Sequence, residues 1–468
     1  MASNLTKSLE ADLKKALEAG NMNVAPSALV NGGALQREDL SGVMEIVCAE
    51  DKLIKLQKRI TSKPATSMMY SYNRQTSVGL GFGGTAQFEG QVGVEEDGTY
   101  FRMTVPMAFY SLISRVTMQA NMVDTFDGVK AEDRVAKNAA SKIAQDIEID
   151  LFRGKADYVN AGVFDGNPLA IPNTPGMLGL DPQVRMSDSQ RNAQDLMFAE
   201  YGGNETVVIP GGSVMTQDNV EDAAIRSVMN HGSADSLFIS PKALSLYNKI
   251  THGKERVILS GGSVTSSTGA NLKEQETSAG TMKFETSRYL TAKAAPAAPR
   301  SVSPLAPTHA LLAAGNTTSF TAGTYFYFVT SVNERGESVG STASSVVVAA
   351  GDQVSVTITP PGSGTVRYFN VYRTFAGQPA VLARFIGRVA NSGAATTVFL
   401  DLNNRSPGHS TAFLVDDSSM EIRELAPFGR VKLGISDLSI PEAHFRFACL
   451  AVRAPRKNCL IDNVRDFQ

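Results

Sequence analysis

Residues 127–154, DGVKAEDRVAKNAASKIAQDIEIDLFRG, constrain the fold more than any other stretch of the chain. Val135, Ala139, Ile143, Ile147 and Leu151 recur every four residues, with Ala136, Ala140 and Ala144 beside them. That spacing makes one apolar stripe, and Lys130, Glu132, Asp133, Lys137, Lys142 and Asp146 spread over the other faces. Asp124 or Asp127 is expected to cap the N-terminus, and Gly154 to follow the last turn in the left-handed conformation. At a rise of about 1.5 Å per residue the helix would be a rod of roughly 35 to 40 Å.

The 468 residues suffice for two or three domains with real cores. A content of 43% hydrophobic and 19% charged residues reads as folded rather than disordered. A net charge of −2 gives no sign of nucleic-acid binding by counterion release. Cys48, Cys449 and Cys459 are odd in number and form no C-x-x-C pair, so reduced thiols in a cytosolic compartment fit better than a disulfide framework. The opening MASNLTKSLEADLKKALEAG lacks the apolar core of a signal peptide, and no run of about 18 apolar residues is long enough to cross a bilayer.

Residues 1–64 read as an extended arm. Leu5, Leu9, Leu13 and Leu17 mark a short amphipathic helix; a second helical stretch ends before Pro64, with Lys52, Lys55, Lys58 and Arg59 read as a solvated face opposite Leu53, Ile54 and Leu56. Residues 65–107 change period: ATSMMYSYNRQTSVG and TYFRMTVPMAFYSLISRV are strand-rich, and the glycine-rich GLGFGGTAQFEGQVGVEEDG lies between them. The expected shape is a long two-stranded excursion that must lie against another surface, because an isolated ribbon is marginal in water. Gly79, Gly81 and Gly84 match G-x-G-x-x-G, but the residues that follow cannot open a helix, so dinucleotide binding is rejected.

Residues 108–200 contain the long helix, and 201–291 read as α+β, with a helix over 223–229, a strand over 236–239 and a helix opening at Pro241. Residues 292–301 begin a proline-rich linker. Over 302–404, TYFYFVTSVN, VSVTITP, RYFNVYRT, AVLARFIGRV and TTVFLDLNN alternate apolar and polar residues without an intervening helix, which reads as a β-sandwich. GTYFYFVTSVNERGES and FNVYRT resemble fibronectin type III-like and immunoglobulin-like modules, and the absence of Trp and Cys inside excludes an antibody-type disulfide core. Residues 405–468 are too few for an independent domain without a disulfide or metal, so they are expected to pair with the part before 292 and make the sandwich an insertion.

Catalytic signatures are lacking. The five histidines are scattered, with no H-E-x-x-H, G-x-S-x-G or phosphate-loop motif. The carboxylates Asp146, Glu148 and Asp150, and the pair Asp416–Asp417, are read as solvated faces. No cofactor, metal or enzymatic activity is expected.

The order of parts resembles the Hong Kong 97-type fold of tailed-bacteriophage major capsid proteins, closest to those of large contractile-tailed, Twort-type phages. GALQREDL, FDG at 164–166, and ELAPFGRVKLG with FACLAVRAPRKNCLIDNV carry the resemblance. It implies an α+β chain with an N-arm (1–64), an E-loop (65–107), a peripheral domain with a spine helix (108–200), an axial domain (201–291), a linker (292–301), an inserted immunoglobulin-like sandwich (302–404) and a return segment (405–468). It implies a shell of hexamers and pentamers assembled in host cytoplasm around double-stranded DNA bound without sequence reading, with a portal protein and a separate scaffolding protein as partners, and no membrane. At the E-loop tip, Gly79, Gly81, Phe82, Gly84 and Phe88 are the expected inter-subunit contacts. Some relatives crosslink an E-loop lysine; none occurs here between Lys63 and Lys130, so the shell is expected to be non-covalent. The insert is expected to face outward as decoration or an inter-capsomer contact, with a host surface glycan as the other candidate. An encapsulin-type compartment and a surface adhesin are the alternative readings.

Overall fold

A computed structural model describes residues 54–79, 85–93, 95, 97–122, 130–154, 176–185, 206–210, 214–251, 273–291, 301–312, 320–333, 336–364, 366–403, 405–434 and 438–466. In chain order the strands are β1 (Ser62–Pro64), β2 (Met69–Ser77), β3 (Thr99–Pro106), β4 (Ala108–Thr117), β5 (Val207–Val208), β6 (Ser236–Ile239), β7 (Glu274–Thr277) and β8 (Gly280–Thr286). The strands of the all-β region follow: β9 (Thr308–Leu312), β10 (Gly323–Asn333), β11 (Gly336–Glu337), β12 (Ser344–Val348), β13 (Gln353–Ile358), β14 (Tyr368–Arg373), β15 (Arg384–Ala390) and β16 (Thr397–Asp401). The last are β17 (His409–Val415), β18 (Met420–Lys432), β19 (Ser439–Val452) and β20 (Cys459–Arg465).

Two sheets form the body, and both join strands from distant parts of the chain. One has the order β1-β18-β19-β4; the other has the order β5-β20-β17-β6-β8-β7. The 23-residue helix Ala131–Arg153 packs against both. Ile143, Ile147 and Leu151 bury the stripe expected from the sequence, together with Leu56, Ile422 and Leu450. Phe152, at the last turn, meets Phe238 of β6 at 5.5 Å and Phe413 of β17 at 5.3 Å between ring centroids. Each such side chain contributes about 1.5 to 3 kcal/mol when fully buried.

The helix ends differently from expectation. Gly154 has φ −59°, so it is not left-handed. Glycine is needed there for space: a Cβ would collide with the Met177 carbonyl oxygen and come within 2.6 Å of the Asp150 carbonyl oxygen. Gly154 donates to Asp150 O at 2.8 Å, and Gly179 donates to Gly154 O at 2.8 Å. The chain returns tightly against the last helical turn, and a side chain would hold the two strands of backbone apart. Asp124 and Asp127, the expected caps, lie outside the described residues; Lys130 occupies the cap position without a side-chain bond.

Strand β6 and helix Pro241–Thr251 follow the sequence expectation, while the helix expected over 223–229 starts earlier, at Gln217, where Thr216 and Asn219 form a capping box. Ser240 Oγ accepts the Ala243 N–H at 3.1 Å, and Pro241 supplies the preset first-turn geometry. The second helix covers the six-stranded sheet through Ala243, Leu244 and Tyr247.

Strands β9 to β16 form two sheets that share one core. The first has the order β11-β10-β14-β15 with β12 on β10, and the second the order β16-β13-β9. Tyr325, Tyr327 and Val329 from the first meet Val354, Val356 and Ile358 from the second. Arg373 Nη1 donates to Asp401 Oδ2 at 2.5 Å, and Tyr327 donates to the same oxygen at 2.9 Å, so a buried ion pair ties the sheets together. Arg373 Nη2 also donates to Arg405 O at 3.1 Å, fixing the outgoing chain. Ser406 N donates to Asn463 Oδ1 at 2.8 Å, Gly408 N to Phe385 O at 3.0 Å, and the Arg465 guanidinium lies 5.4 Å from the Phe375 ring centroid. These contacts join the sandwich to the six-stranded sheet.

Candidate assembly surfaces

β2 and β3 form a two-stranded antiparallel ribbon whose ladder is joined by no third strand among the described residues. Period-two alternation turns Tyr70, Tyr72 and Arg74 toward the body. Tyr72 donates to Val452 O at 2.8 Å and Arg74 Nε to Arg453 O at 2.7 Å. Tyr70 donates to Glu421 Oε1 at 2.9 Å, and the Arg423 guanidinium lies 4.6 Å from its ring centroid. Glu421 also receives Arg423 at 2.8 Å, Arg453 at 2.6 Å and Lys63 at 3.3 Å. Burial pushes this carboxyl up, but the hydrogen bonds from Arg423, Arg453, Tyr70 and Lys63 outweigh it and leave it at about 2. One ionised carboxylate and two backbone carbonyls thus hold the ribbon base.

Beyond the base the ribbon has little cover. Met69, Val78, Val92 and Tyr100 are exposed, and Phe88 is 83% exposed. Gly79 turns the chain at φ +124°, a conformation that excludes most side chains. Gly81, Phe82 and Gly84, the other expected tip residues, lie outside the described residues.

A second surface was not foreseen from the sequence. On one face of β4, β19 and β18, Tyr110 donates to Asp150 at 2.6 Å and Ser114 bonds His444 at 2.9 Å. On that face too, Arg430 meets Glu442 at 2.7 Å and Glu132 at 2.5 Å. That face is turned to the long helix. The opposite face carries Phe109 and Ile113 of β4, Val431 and the following Leu433 from the β18 side, and Phe445 and Phe447 of β19. Phe109 meets Phe447 edge-on at 5.0 Å, and Phe445 lies 5.3 Å from Phe447. The Phe445 ring covers Gly429, where a Cβ would stand 2.6 Å from its Cζ. Phe109, Ile113, Val431 and Leu433 are exposed. The signal was present in AFYSLISRV, which has apolar residues at both odd and even positions, whereas a strand with one solvated face alternates.

Of the carboxylates read as solvated, Glu148 and Asp416 are buried and Asp150 and Asp417 half-buried, so the reading is corrected for these. Glu148 is fully buried and accepts the backbone N–H groups of Lys55 at 3.1 Å, Leu56 at 2.8 Å and Gln57 at 3.0 Å. Burial raises its pKa, and the three backbone bonds work against that rise. Asp150 accepts from Tyr110 and, at 3.1 Å, its partner Tyr110 Oη accepts the Met177 N–H; burial raises Asp150 to about 6 despite the Tyr110 bond. Asp416 is buried and accepts from Ser418 N at 2.9 Å. Asp146 alone stays at the surface, paired with Lys142 at 2.5 Å.

Arg59, expected on a solvated face, instead bridges Glu285 at 2.6 Å and Asp417 at 2.5 Å; Ile54 and Leu56 are buried as expected. Lys52 and Leu53 lie outside the described residues. Cys449 and Cys459 are buried free thiols pushed up to about 12 by burial, and no group of histidine, cysteine or acidic side chains among the described residues is arranged to hold a metal.

No protein-family model matches the chain. The "Major capsid protein" of Staphylococcus phage K is 21% identical over 474 residues, covering 97% of this chain and 95% of its own length. The likeness runs end to end. A protein of Enterococcus phage phiEF24C, which carries the same designation in provisional form, is 22% identical over 94% of this chain and 92% of its own. Among solved structures, the capsid of a native GTA particle is similar with a TM-score of 0.47 and 11% identity, covering 94% of this chain and 100% of that one.

Proposed function

We propose that this chain is the major capsid protein of a tailed bacteriophage, the subunit from which the icosahedral head is built. The observation that carries this reading is the end-to-end likeness to phage major capsid proteins, which spans 97% of the chain in the Staphylococcus phage relatives. The geometry supports it independently. A ribbon with exposed Val78, Phe88 and Val92, and a sheet face with exposed Phe109, Ile113, Val431 and Leu433, are surfaces that a shell subunit buries against its neighbours.

In this reading residues 1–64 are the N-arm, 65–107 the E-loop and 108–200 the peripheral domain with its spine helix. Residues 201–291 are the axial domain, 292–301 the linker, 302–404 an inserted immunoglobulin-like domain, and 405–468 the return through both body domains. The sheet order β12-β10-β14-β15 supports the immunoglobulin-like assignment, since it matches the C′-C-F-G order of variable-type domains. Gly79, Gly81, Phe82, Gly84 and Phe88 form the E-loop tip that contacts a neighbour. The subunit forms hexamers and pentamers, encloses double-stranded DNA without reading its sequence, and works with a portal and a separate scaffolding protein. Its role is structural, with no catalytic step.

The test is electron microscopy of the full chain expressed in bacteria, with and without a candidate scaffold. Closed icosahedral particles or isolated capsomers are expected; a monodisperse monomer under every condition defeats the proposal. With no lysine between Lys63 and Lys130, particles boiled in detergent should run as single subunits, and a ladder of crosslinked species would overturn the non-covalent shell.

A further inference from the structure

The sheet β16-β13-β9 has an uncharged outer face. Its inner side sends Val354, Val356 and Ile358 into the shared core. Alternation therefore turns Gln353, Ser355 and Thr357 outward. Register places Leu400 and Ala310 on either side of Ser355, Val398 and Thr308 on either side of Thr357, and Leu312 beside Gln353. None of these residues carries a charge, and Val398, Leu400 and Leu312 are 55%, 45% and 42% exposed.

Solvated sheet faces ordinarily carry polar and charged side chains that discourage association. The opposite sheet of this sandwich instead pairs its outer polar side chains with one another, and Asn370 and Tyr372 there are fully buried. Glu337 accepts from Asn370 at 2.7 Å and from Tyr372 at 2.7 Å, and Arg388 Nε donates to Asn370 at 3.0 Å while stacking 4.0 Å from the Tyr368 ring centroid. Two outer faces of one small module thus differ in kind.

We propose that the uncharged face formed by Leu312, Ser355, Val398 and Leu400 docks on the same face of a second copy of this chain, so that sandwiches of neighbouring subunits meet back to back about a local twofold axis. The proposal rests on the shell reading above. Two arguments select a second copy as the occupant. A face without charge meets its own copy without repulsion, and an isologous contact needs only one self-compatible patch. Three short strands also offer far less than the roughly 800 Å² per partner of a stable free complex, so a soluble partner would gain too little. Subunits already held side by side in a shell see one another at effective concentrations of about millimolar, where a small contact suffices. The contact therefore forms in particles and is absent between free subunits.

Facing sheets stand about 10 Å apart, beyond the reach of a disulfide, so the probe is a short bismaleimide acting on particles of full-length chain carrying Ser355→Cys. Cys449 and Cys459 are buried, and the parent chain controls for Cys48. A crosslinked dimer is expected, at least five-fold above the parent and above Arg388→Cys on the opposite sheet. Adding Leu400→Glu should abolish it, and unassembled subunits should give monomer. If Ser355→Cys prevents closure, Thr357→Cys in the adjacent row replaces it. Monomer only, or equal dimer from Arg388→Cys, overturns the contact while leaving the shell reading intact. A conjugate with a different protein overturns the choice of a second copy. Absence of any particle from the parent chain rejects the shell reading itself and this contact with it.

Discussion

Glu148, on the second half of the long helix, accepts the backbone N–H of Leu56 at 2.8 Å across 92 residues of sequence. Its two oxygens also take the N–H groups of Lys55 and Gln57, so one carboxylate caps the first turn of the short helix Leu56–Arg59. Replacing Glu148 with Ala leaves three donors without their acceptor and is expected to destabilise the subunit by on the order of 4 kcal/mol. Glu148→Gln, which keeps one acceptor oxygen, should cost less. Denaturant unfolding of purified subunits measures both.

Asp150 gives a pH dependence of defined sign. Its folded value of about 6 lies above the ordinary 3.8, so the fold favours the protonated form. The stability it contributes is fully present below pH 3.8 and is lost as pH rises through about 6, up to about 3 kcal/mol in all. Asp150→Asn, neutral throughout and still able to accept from Tyr110, should flatten this part of the profile. Melting temperatures of the two proteins between pH 4 and 7 decide it; parallel curves would exclude the linkage.

Glu421 has the opposite sign. With a folded value of about 2, below the ordinary 4.5, its contribution is present above pH 4.5 and is lost as pH falls through about 2. Glu421→Gln removes the charge that gathers Arg423, Arg453, Tyr70 and Lys63. The expected result is faster proteolysis within β2 and β3, with the sandwich no more sensitive than before.

Gly154→Ala should prevent the native fold from accumulating, because the added Cβ strikes backbone atoms of Met177 and Asp150 rather than a movable side chain. Gly434→Ala is the matched control, with open space around its site, and should express as the parent does.

Ile113→Asp places a charge on the open face beside Phe109 and Val431 without disturbing the side that meets the long helix. Subunits should keep their melting temperature to within a degree or two while the yield of closed particles falls at least ten-fold. An equal loss of both would mean that the face belongs to the subunit's own core.

The features legible in the sequence were those with a period. Ile143, Ile147 and Leu151 announced the long helix, and Tyr325, Tyr327 and Val329 announced a sandwich strand, because burial on one face imposes a repeat that needs no knowledge of the partner. Glu148, Asp150 and Arg59 were read as solvated for the same reason: a periodic pattern assigns polar residues to the outside. Their partners are 40 to 358 residues away, as in Tyr110 with Asp150 and Arg59 with Asp417, and nothing local marks them. Gly154 was read from the usual habit of helix ends, whereas its reason lies in the returning backbone at Met177. The open face of β4 was written in its sequence but required β18 and β19 to show which side stayed bare.

Both body sheets have interior strands drawn from the last part of the chain. β18 and β19 separate β1 from β4, and β17 and β20 lie between β5 and β6. During vectorial synthesis on a ribosome the helix Leu56–Arg59, the ribbon and the long helix therefore emerge before β17 to β20, against which they pack. The sandwich, complete at Asp401, has all its strands earlier, but neither body sheet can close until translation has passed Val452 and Arg465. Until those strands have emerged, a nascent chain cannot display a finished body surface to its neighbours on the same messenger.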